Sequence, residues 1–434
     1  MSLYTKIKKD SKYKIEQIIK QTDIDLLKKK YEETLALMKI VEKFIIKKRL
    51  LLYGGYAINL LLPKEDKFYK DYNINDFDCY SVNAKEDAYE IADLFYKKKY
   101  EYIEVRHAMH ENTYRVYVNF IQVLDLTLMP KETFDKLFKL TLLERKTSIY
   151  KHYKDLDKYI VPAILLKRNL HYELARPNDS YYRWEKIYSR LKVFNKLLKR
   201  HKYTKKIKIN TNYIPISSNY NKIIRILLKY IKKNEYPIID NYAIKLYKNI
   251  NSNNCCRINE ASNYLVILST DFIKTANEII KLIESNIDKK IYKVYMLERL
   301  LLTEIMNKRC RIIIENLITK EKFTIINVVS TSSDCYSYIK INGYCVGSID
   351  TILFFLYSIY IIYFIFSKDS VKKNILNETL YYISLYEDLI TKKYIKDVYE
   401  RLSIKCYGIE VDKNEIKKKF WTNTSSLYRP ENKL

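Results

Sequence analysis

Glycine is almost missing from this chain, with 5 in 434 residues. No G-x-G-x-x-G run and no Gly-Lys-Ser/Thr occurs, so a dinucleotide fingerprint and a Walker loop are both excluded. Cysteine is sparse and scattered, at Cys79, Cys255, Cys256, Cys310, Cys335, Cys345 and Cys406, with no C-x-x-C pair. That excludes the usual zinc spacings, and the odd number points to free thiols in a reducing compartment. Acids fall well short of bases: Asp+Glu 51 against Lys+Arg 79, a net charge of +28. A field of that sign attracts polyanions, RNA or DNA first and a membrane surface second. The abundance of Lys, Asn, Ile and Tyr fits an AT-rich coding bias, but such codons also supply Glu and Asp, so bias explains the excess poorly. The opening MSLYTKIKKDSKYK lacks the apolar core of a signal peptide. The longest apolar run, Thr351 to Phe366, falls short of the ~20 residues a membrane span needs and carries several Tyr and a Ser. A buried core helix is expected there, and no membrane partner.

Two of the few glycines stand together, in LLLYGGYAINLLLP. A strand-like run, Leu50 to Tyr53, meets Gly54-Gly55, and a helix-like AINLLL follows. Glycines at such a turn let backbone N–H groups approach a phosphate where a helix begins. Asp76-Phe77-Asp78 follows, and alternate residues of a strand share a face, so the two carboxylates project together. Asp125 lies inside the apolar run Val123 to Thr127 of a long strand candidate, YRVYVNFIQVLDLTLMP. A charge there is costly unless it is paired or bound to metal. Three clustered carboxylates repel one another, and hard oxygen ligands suit Mg²⁺ or Mn²⁺. A pair of such ions holds the attacking and leaving oxygens of a phosphoryl displacement. Taken singly, a Gly-Gly is usually a turn and an Asp-x-Asp usually a solvated loop. The combination, in this order, is far more specific.

The coarse pattern is mixed. Residues 26 to 47 form an amphipathic helix, with Leu35, Leu37, Met38, Val41, Phe44 and Ile45 among charges. Residues 83 to 99 read as a helix with an Asn cap, followed by strands at Tyr102 to His107 and Tyr114 to Leu128. His107 and His110 between them make an H-x-x-H, read as a solvated turn rather than a metal pair. Helices are expected at Lys131 to Leu143 and Tyr159 to Ala175. Lys167 on the latter, with Arg183 and Lys186 on the next helix, combines basic and aromatic surface suited to triphosphate or RNA contact. An ordinary basic helix surface is an equal reading. A polar stretch at 201 to 221 marks a boundary. Beyond it come a helix at Lys222 to Lys233, a strand at Tyr264 to Ser269 and a helix at Asp271 to Ser285. A long helix near Lys290 to Leu317, strands near 322 to 330 and 335 to 341, the apolar helix and a helix near 376 to 391 complete the pattern. No internal repeat is evident, and the second half holds no Gly-Gly and no D-x-D. Phe420 and Trp421 in the basic tail call for burial, so the tail is expected to dock on the body.

The order GG-x-A-x-N, then D-F-D, then Asp-x-Thr on a strand resembles the nucleotidyltransferase superfamily that includes DNA polymerase beta and eukaryotic poly(A) polymerases. YGGYAINLLLP and NDFDCYS are closest to the poly(A) polymerase catalytic subunits of large DNA viruses, of asfarvirus and mimivirus-like type and more distantly poxvirus type. The resemblance is sharp over residues 45 to 130, looser to about 200, and returns in Tyr428-Arg429-Pro430-Glu431.

The resemblance implies an α+β protein: a polymerase-beta-like core with a mixed sheet and helices, then a second α+β domain, for which a degenerate nucleotidyltransferase copy is one reading. The divisions expected are residues 1–47, a basic segment and helix; 48–205, the catalytic domain; and 206–434, the C-terminal domain. It implies template-independent transfer of AMP from ATP to RNA 3′ ends, with two Mg²⁺ or Mn²⁺ ions on Asp76, Asp78 and Asp125, and Gly54 and Gly55 against the phosphates. A homodimer is implied by the mimivirus-like forms and a cap-methyltransferase-type partner by the poxvirus form. The expected location is the viral factory of the host cytoplasm and the virion. A CCA-adding or uridylating enzyme, or an inactive RNA-binding scaffold subunit, remain the alternatives.

Overall fold

The computed structural model describes residues 17, 21, 32–69, 77–108, 112–151, 157–201, 218–248, 264–299, 305–366, 369–391, 402–410 and 428–433. They pack as two compact units, one of residues 1–128, 153–160 and 423–434, the other of 129–152 and 161–422. The polar boundary expected at 201 to 221 lies mostly outside the described residues. The chain first passes from one unit to the other after Leu128, at the Met129-Pro130 stop.

In the first unit, helix α1 (32–48) buries Leu37, Met38, Val41, Phe44 and Ile45, a stripe at helical spacing, and leaves Leu35 exposed. Strand β1 (Leu51–Tyr53) follows with Leu51 and Leu52 fully buried, and helix α2 (Gly54–Leu61) starts directly from it. Next come β2 (Phe77–Ser81), α3 (Ala84–Lys97), β3 (Glu104–His107), β4 (Thr113–Val118) and β5 (Ile121–Leu128). With β6 (Tyr159–Ile160) they form one six-stranded sheet in the order β3-β4-β5-β2-β1-β6. β2 runs parallel to β5 and antiparallel to β1.

The continuous strand expected over Tyr114 to Leu128 is two. Val118 pairs with Ile121, and Asn119-Phe120 make a tight turn with φ of 49° and 63°. An Asn-Phe pair carries no ordinary hairpin signal, because such turns favour Asn-Gly. The tail docks on this unit: Tyr428 exchanges backbone bonds of 2.9 and 3.0 Å with Val105 at the edge strand and stacks on Tyr89 at 3.9 Å. Arg429 pairs with Glu104. Phe420 and Trp421 lie outside the described residues.

The second unit opens with helices α4 (Lys131–Glu144), α5 (Ser148–Lys151), α6 (Ala163–Ala175), α7 (Pro177–Ser180), α8 (Trp184–Arg200), α9 (Ser218–Lys233) and α10 (Asn241–Lys248). Then come β7 (Leu265–Ser269), α11 (Phe272–Glu284), β8 (Tyr292–Arg299), β9 (Arg309–Asn316) and β10 (Lys322–Ser330). β11 (Cys335–Ile341), β12 (Tyr344–Gly347), α12 (Ile349–Phe366), α13 (Asp369–Thr391) and β13 (Cys406–Gly408) close it. Two expectations are corrected. Tyr159-Ile160 is strand, and helix α6 begins only after Pro162. The long helix near Lys290 to Leu317 is replaced by β8 and β9, where alternation in YKVYMLER and the branched run Ile312 to Ile314 favour pleated strand.

α12 is a core helix. Twelve of its residues, from Ile349 to Ile362, are buried, and its polar groups are matched within the unit. Asp350 Oδ1 lies 2.7 Å from His171 Nδ1, and Ser358 Oγ accepts from Arg168 Nε at 3.1 Å. Cys335 and Cys406 form a disulfide between β11 and β13, which corrects the expectation of free thiols throughout; Cys79, Cys310 and Cys345 are free and buried. Cys255 and Cys256 lie outside the described residues.

The second unit repeats the plan of the first. The sheet order β8-β9-β10-β7 matches β3-β4-β5-β2, with the same single parallel pair, β7 with β10 as β2 with β5. Ile238 bridges Ile267 antiparallel and Val346 parallel, just as Leu52 pairs with Cys79 and Ile160. In the overlay of these registers, α10 falls on α2. The segment GGYAINLL at 54–61 then aligns with DNYAIKLY at 240–247, a repeat too short to stand out in the sequence alone.

Candidate active site

Four strands of the first sheet bring four side chains into one row. Cross-strand partners share a face, and the registers run Arg115 opposite Asp125, Asp125 opposite Asp78, and Asp78 opposite Tyr53. Adjacent strands lie about 4.8 Å apart, so Asp78 and Asp125 are immediate neighbours across the parallel pair. Asp125 is 6 % exposed and Asp78 half-buried.

Gly54 follows Tyr53 and opens α2 with φ of 76°. A Cβ there would lie 2.1 Å from Asp78 Oδ2. Both the left-handed backbone and the close approach of a carboxylate therefore demand glycine. Gly55 is the second residue of the same helix, so both glycines stand where unpaired N–H groups and the positive end of the helix dipole face outward.

Arg115 holds Asp125 in a bidentate pair, with Nε to Oδ1 at 2.8 Å and Nη2 to Oδ2 at 2.6 Å. Burial works against the guanidinium's charge, but the bonds to Asp125 outweigh it and raise its pKa. Beside the row on the same face, Tyr53 bonds to Thr127 Oγ1 at 2.8 Å and stacks on Tyr80 at 4.1 Å, and Thr127 reaches Thr113 at 2.9 Å. Burial, and then the charge of Asp78, push the Tyr53 phenol far up, so it stays protonated beside the carboxylates. Asn59 Oδ1 accepts from the N–H groups of Phe68 and Tyr69, each at 3.0 Å, and ties α2 to the segment that leads toward β2.

Of the residues singled out in the sequence, Gly54, Gly55, Asp78 and Asp125 are brought together. Asp76 lies outside the described residues. Lys167, Arg183 and Lys186 belong to the second unit. Lys167 is 4 % exposed and its ammonium is committed to Glu387, so it is a buried ion-pair partner rather than open basic surface. Arg183 Nη1 bonds Glu173 at 3.1 Å, and Lys186 is exposed on α8. His107 packs on Tyr114 at 4.5 Å, and His110 lies outside the described residues. Arg115 and Tyr53 were missed by sequence reasoning. Only the hairpin register, hidden in an apparently continuous strand, sets Arg115 opposite Asp125.

The donor atoms of Asp78 and Asp125 are all carboxylate oxygens, held side by side on adjacent strands, with Arg115 paired to Asp125 from the other side. That is the donor set of a hard divalent cation, and it fits one.

The repeated half lacks this chemistry. In the matching row, Arg311 stands opposite Asn327 and Asn327 opposite Val266, so the arginine is kept while both carboxylates are replaced. Asp240 takes the place of Gly54. Its own carboxylate accepts from Tyr242 N at 2.8 Å and Val266 N at 2.7 Å, and so fills the space at the start of α10 that stays open at Gly54.

The chain matches the family model of the poly(A) polymerase catalytic subunit over residues 39–166. It is 35 % identical over 218 residues to a provisionally named poly(A) polymerase catalytic subunit of African swine fever virus (isolate Pig/Kenya/KEN-50/1950), covering 50 % of this chain and 41 % of the relative. A provisionally named counterpart from Acanthamoeba polyphaga mimivirus is 30 % identical over 129 residues, 28 % of this chain and 22 % of the relative. The chain thus spans well under half the length of these curated relatives. The crystal structure of the Megavirus polyadenylate synthase matches 98 % of this chain and 86 % of its own length, with a TM-score of 0.72 at 19 % identity. The fold is shared with it.

Proposed function

We propose that this chain is a template-independent poly(A) polymerase that transfers AMP from ATP to the 3′ end of RNA. The observation that carries the reading is the Asp78–Asp125 pair set against Gly54 at the start of α2. The matches over residues 39–166 and to the viral relatives support it. Asp78, Asp125 and, on sequence alone, Asp76 would hold Mg²⁺ or Mn²⁺, which when bound offsets the negative charge of the reacting phosphate and lowers the pKa of a coordinated hydroxyl. The chain's own part is positional. Gly54 and Gly55 present the helix terminus to the phosphates without a side chain in the way. Arg115 orients Asp125 from the side away from Asp78. The Tyr53–Thr127–Thr113 hydrogen-bond chain ties together the strands that carry the row. Net charge of +28 favours the RNA backbone without reading its sequence. A homodimer and a place in the viral factory and virion belong to the same proposal.

The test is primer extension on an unstructured RNA with each ribonucleotide supplied separately, in Mg²⁺ or Mn²⁺, beside Asp78→Asn and Asp125→Asn. Long tails with ATP alone, reduced about a hundredfold or more by either change, are expected. Tails made from CTP or UTP would transfer the chemistry to a CCA-adding or uridylating enzyme. RNA binding with no extension would leave a scaffold subunit.

A further inference from the structure

The turn between β4 and β5 is built from the wrong residue for its geometry. Asn119 and Phe120 both have positive φ, as a two-residue hairpin turn requires, and the second such position favours glycine. A phenylalanine there is strained, and its ring is 75 % exposed. Burial does not repay that strain. The ring faces Tyr102, itself 58 % exposed and at a φ of 48°, with centroids 4.5 Å apart and planes tilted by 30°. Asn119 N donates to Glu101 O at 3.2 Å and fixes the turn beside Tyr102. Exposed Lys97, Lys98 and Lys99 end α3 just before this segment and make no ion pair among the described residues; Glu101 is the only acid from 97 to 102. β5 runs from Phe120 toward Asp125, so the aromatic pair lies about 17 Å along the strand from the carboxylate row.

We infer that Tyr102 and Phe120, flanked by Lys97 to Lys99, form a docking platform for single-stranded RNA upstream of its 3′ end. The inference rests on the polymerase reading for which RNA is bound, but not on its chemistry. Every base offers a π face, so two solvent-facing rings stack bases without regard to sequence, and the lysines meet the phosphates that flank them. Charge complementarity selects RNA over an apolar protein partner. The rings stand on an edge of lysines within a strongly basic chain, where a second copy would bring like charge against like.

The experiment is equilibrium binding of a labelled unstructured oligoribonucleotide, without ATP or divalent ions, to the full chain and to Phe120→Gly, Tyr102→Ala and a Lys97, Lys98 and Lys99→Gln triple variant. Phe120→Gly restores an Asn-Gly turn, so its melting temperature is expected to rise while RNA affinity falls about tenfold. Tyr102→Ala is expected to weaken binding similarly with its salt dependence kept. The lysine variant lowers the slope of affinity against salt. Unchanged RNA affinity in Phe120→Gly, or a wild-type chain that binds no RNA, overturns the inference. So does a shift in oligomeric state on sedimentation with RNA affinity unaltered, which would assign the rings to self-association. A chain that extends no primer but shows these binding losses removes the polymerase reading and leaves the platform standing. One that extends normally with affinity unmoved does the reverse.

Discussion

Arg115 is the residue on which the carboxylate row depends when no cation is bound. Its guanidinium supplies the countercharge that lets Asp125 sit 6 % exposed in a sheet interior. Removing one partner of such a pair leaves the other's charge uncompensated. Arg115→Ala is expected to cost about 1–3 kcal/mol, less than a fully buried pair because the arginine is partly exposed. Mn²⁺ is expected to restore part of that loss, since it takes over the countercharge, so the metal-induced rise in melting temperature is larger in the variant than in the wild type. Melting curves with and without Mn²⁺ check this. Asp240 makes the opposite case in the repeated half. Burial pushes its carboxyl from 3.8 up to about 7, against the pull of its backbone N–H donors. The folded state therefore holds that proton more tightly than the unfolded chain. Its contribution is full below about pH 4 and is lost as pH rises through about 7, a fall of up to about 4 kcal/mol. Asp240→Asn is expected to flatten that part of the stability–pH profile, as denaturant titrations across the window would read.

At the scale of elements, two segments do work that their composition disguises. α12 has the apolarity of a span, yet α6 and α13 cover it. Its Asp350, Ser358 and Tyr357 are matched by His171, Arg168 and Glu387 within the same unit. A lipid-facing helix has no use for those bonds. The tail segment Tyr428–Arg429 caps the edge strand β3 with two backbone bonds to Val105, a ring stack on Tyr89 and a bond to Asp93. Ending the chain at Thr422 is expected to cost about 2–3 kcal/mol, from two net hydrogen bonds and an aromatic pair. It also uncovers a strand edge, so the shortened chain should associate in a concentration-dependent way on sedimentation.

At the scale of the whole molecule, one plan is used twice and the carboxylate pair stands in one copy. Val266 and Asn327 stand at the positions of Asp78 and Asp125, and the Asp240 carboxylate occupies the start of α10. The repeated half is then expected to bind no divalent ion at its matching row. A double variant, Asp78→Asn with Asp125→Asn, should lose specific Mn²⁺ binding altogether, as paramagnetic titration would show, while circular dichroism stays native. Retained tight Mn²⁺ binding would place metal chemistry elsewhere in the chain. RNA affinity in the same double variant should change little, because the +28 charge is spread over the chain, and should fall steeply with salt.

The grouping of the glycine pair with Asp78 and Asp125 was readable from the residues, because a rare residue doubled beside a strand and an acid within an apolar run have few physical explanations. The coarse order of strands and helices followed from their hydrophobic periods, the α+β core from the family resemblance, and the buried fate of Thr351 to Phe366 from its length and its polar residues. Register was not readable. A side chain's face depends on which residue lies opposite it, and one unrecognised turn at Asn119-Phe120 hid Arg115 from Asp125. The same limit made Lys167 look like open basic surface, since its partner Glu387 lies far along the chain. The repeat was hidden because GGYAINLL and DNYAIKLY keep only the residues that bury α2 and α10. The positions that carry the carboxylate pair are those that changed, and tertiary pairing alone shows them to be equivalent.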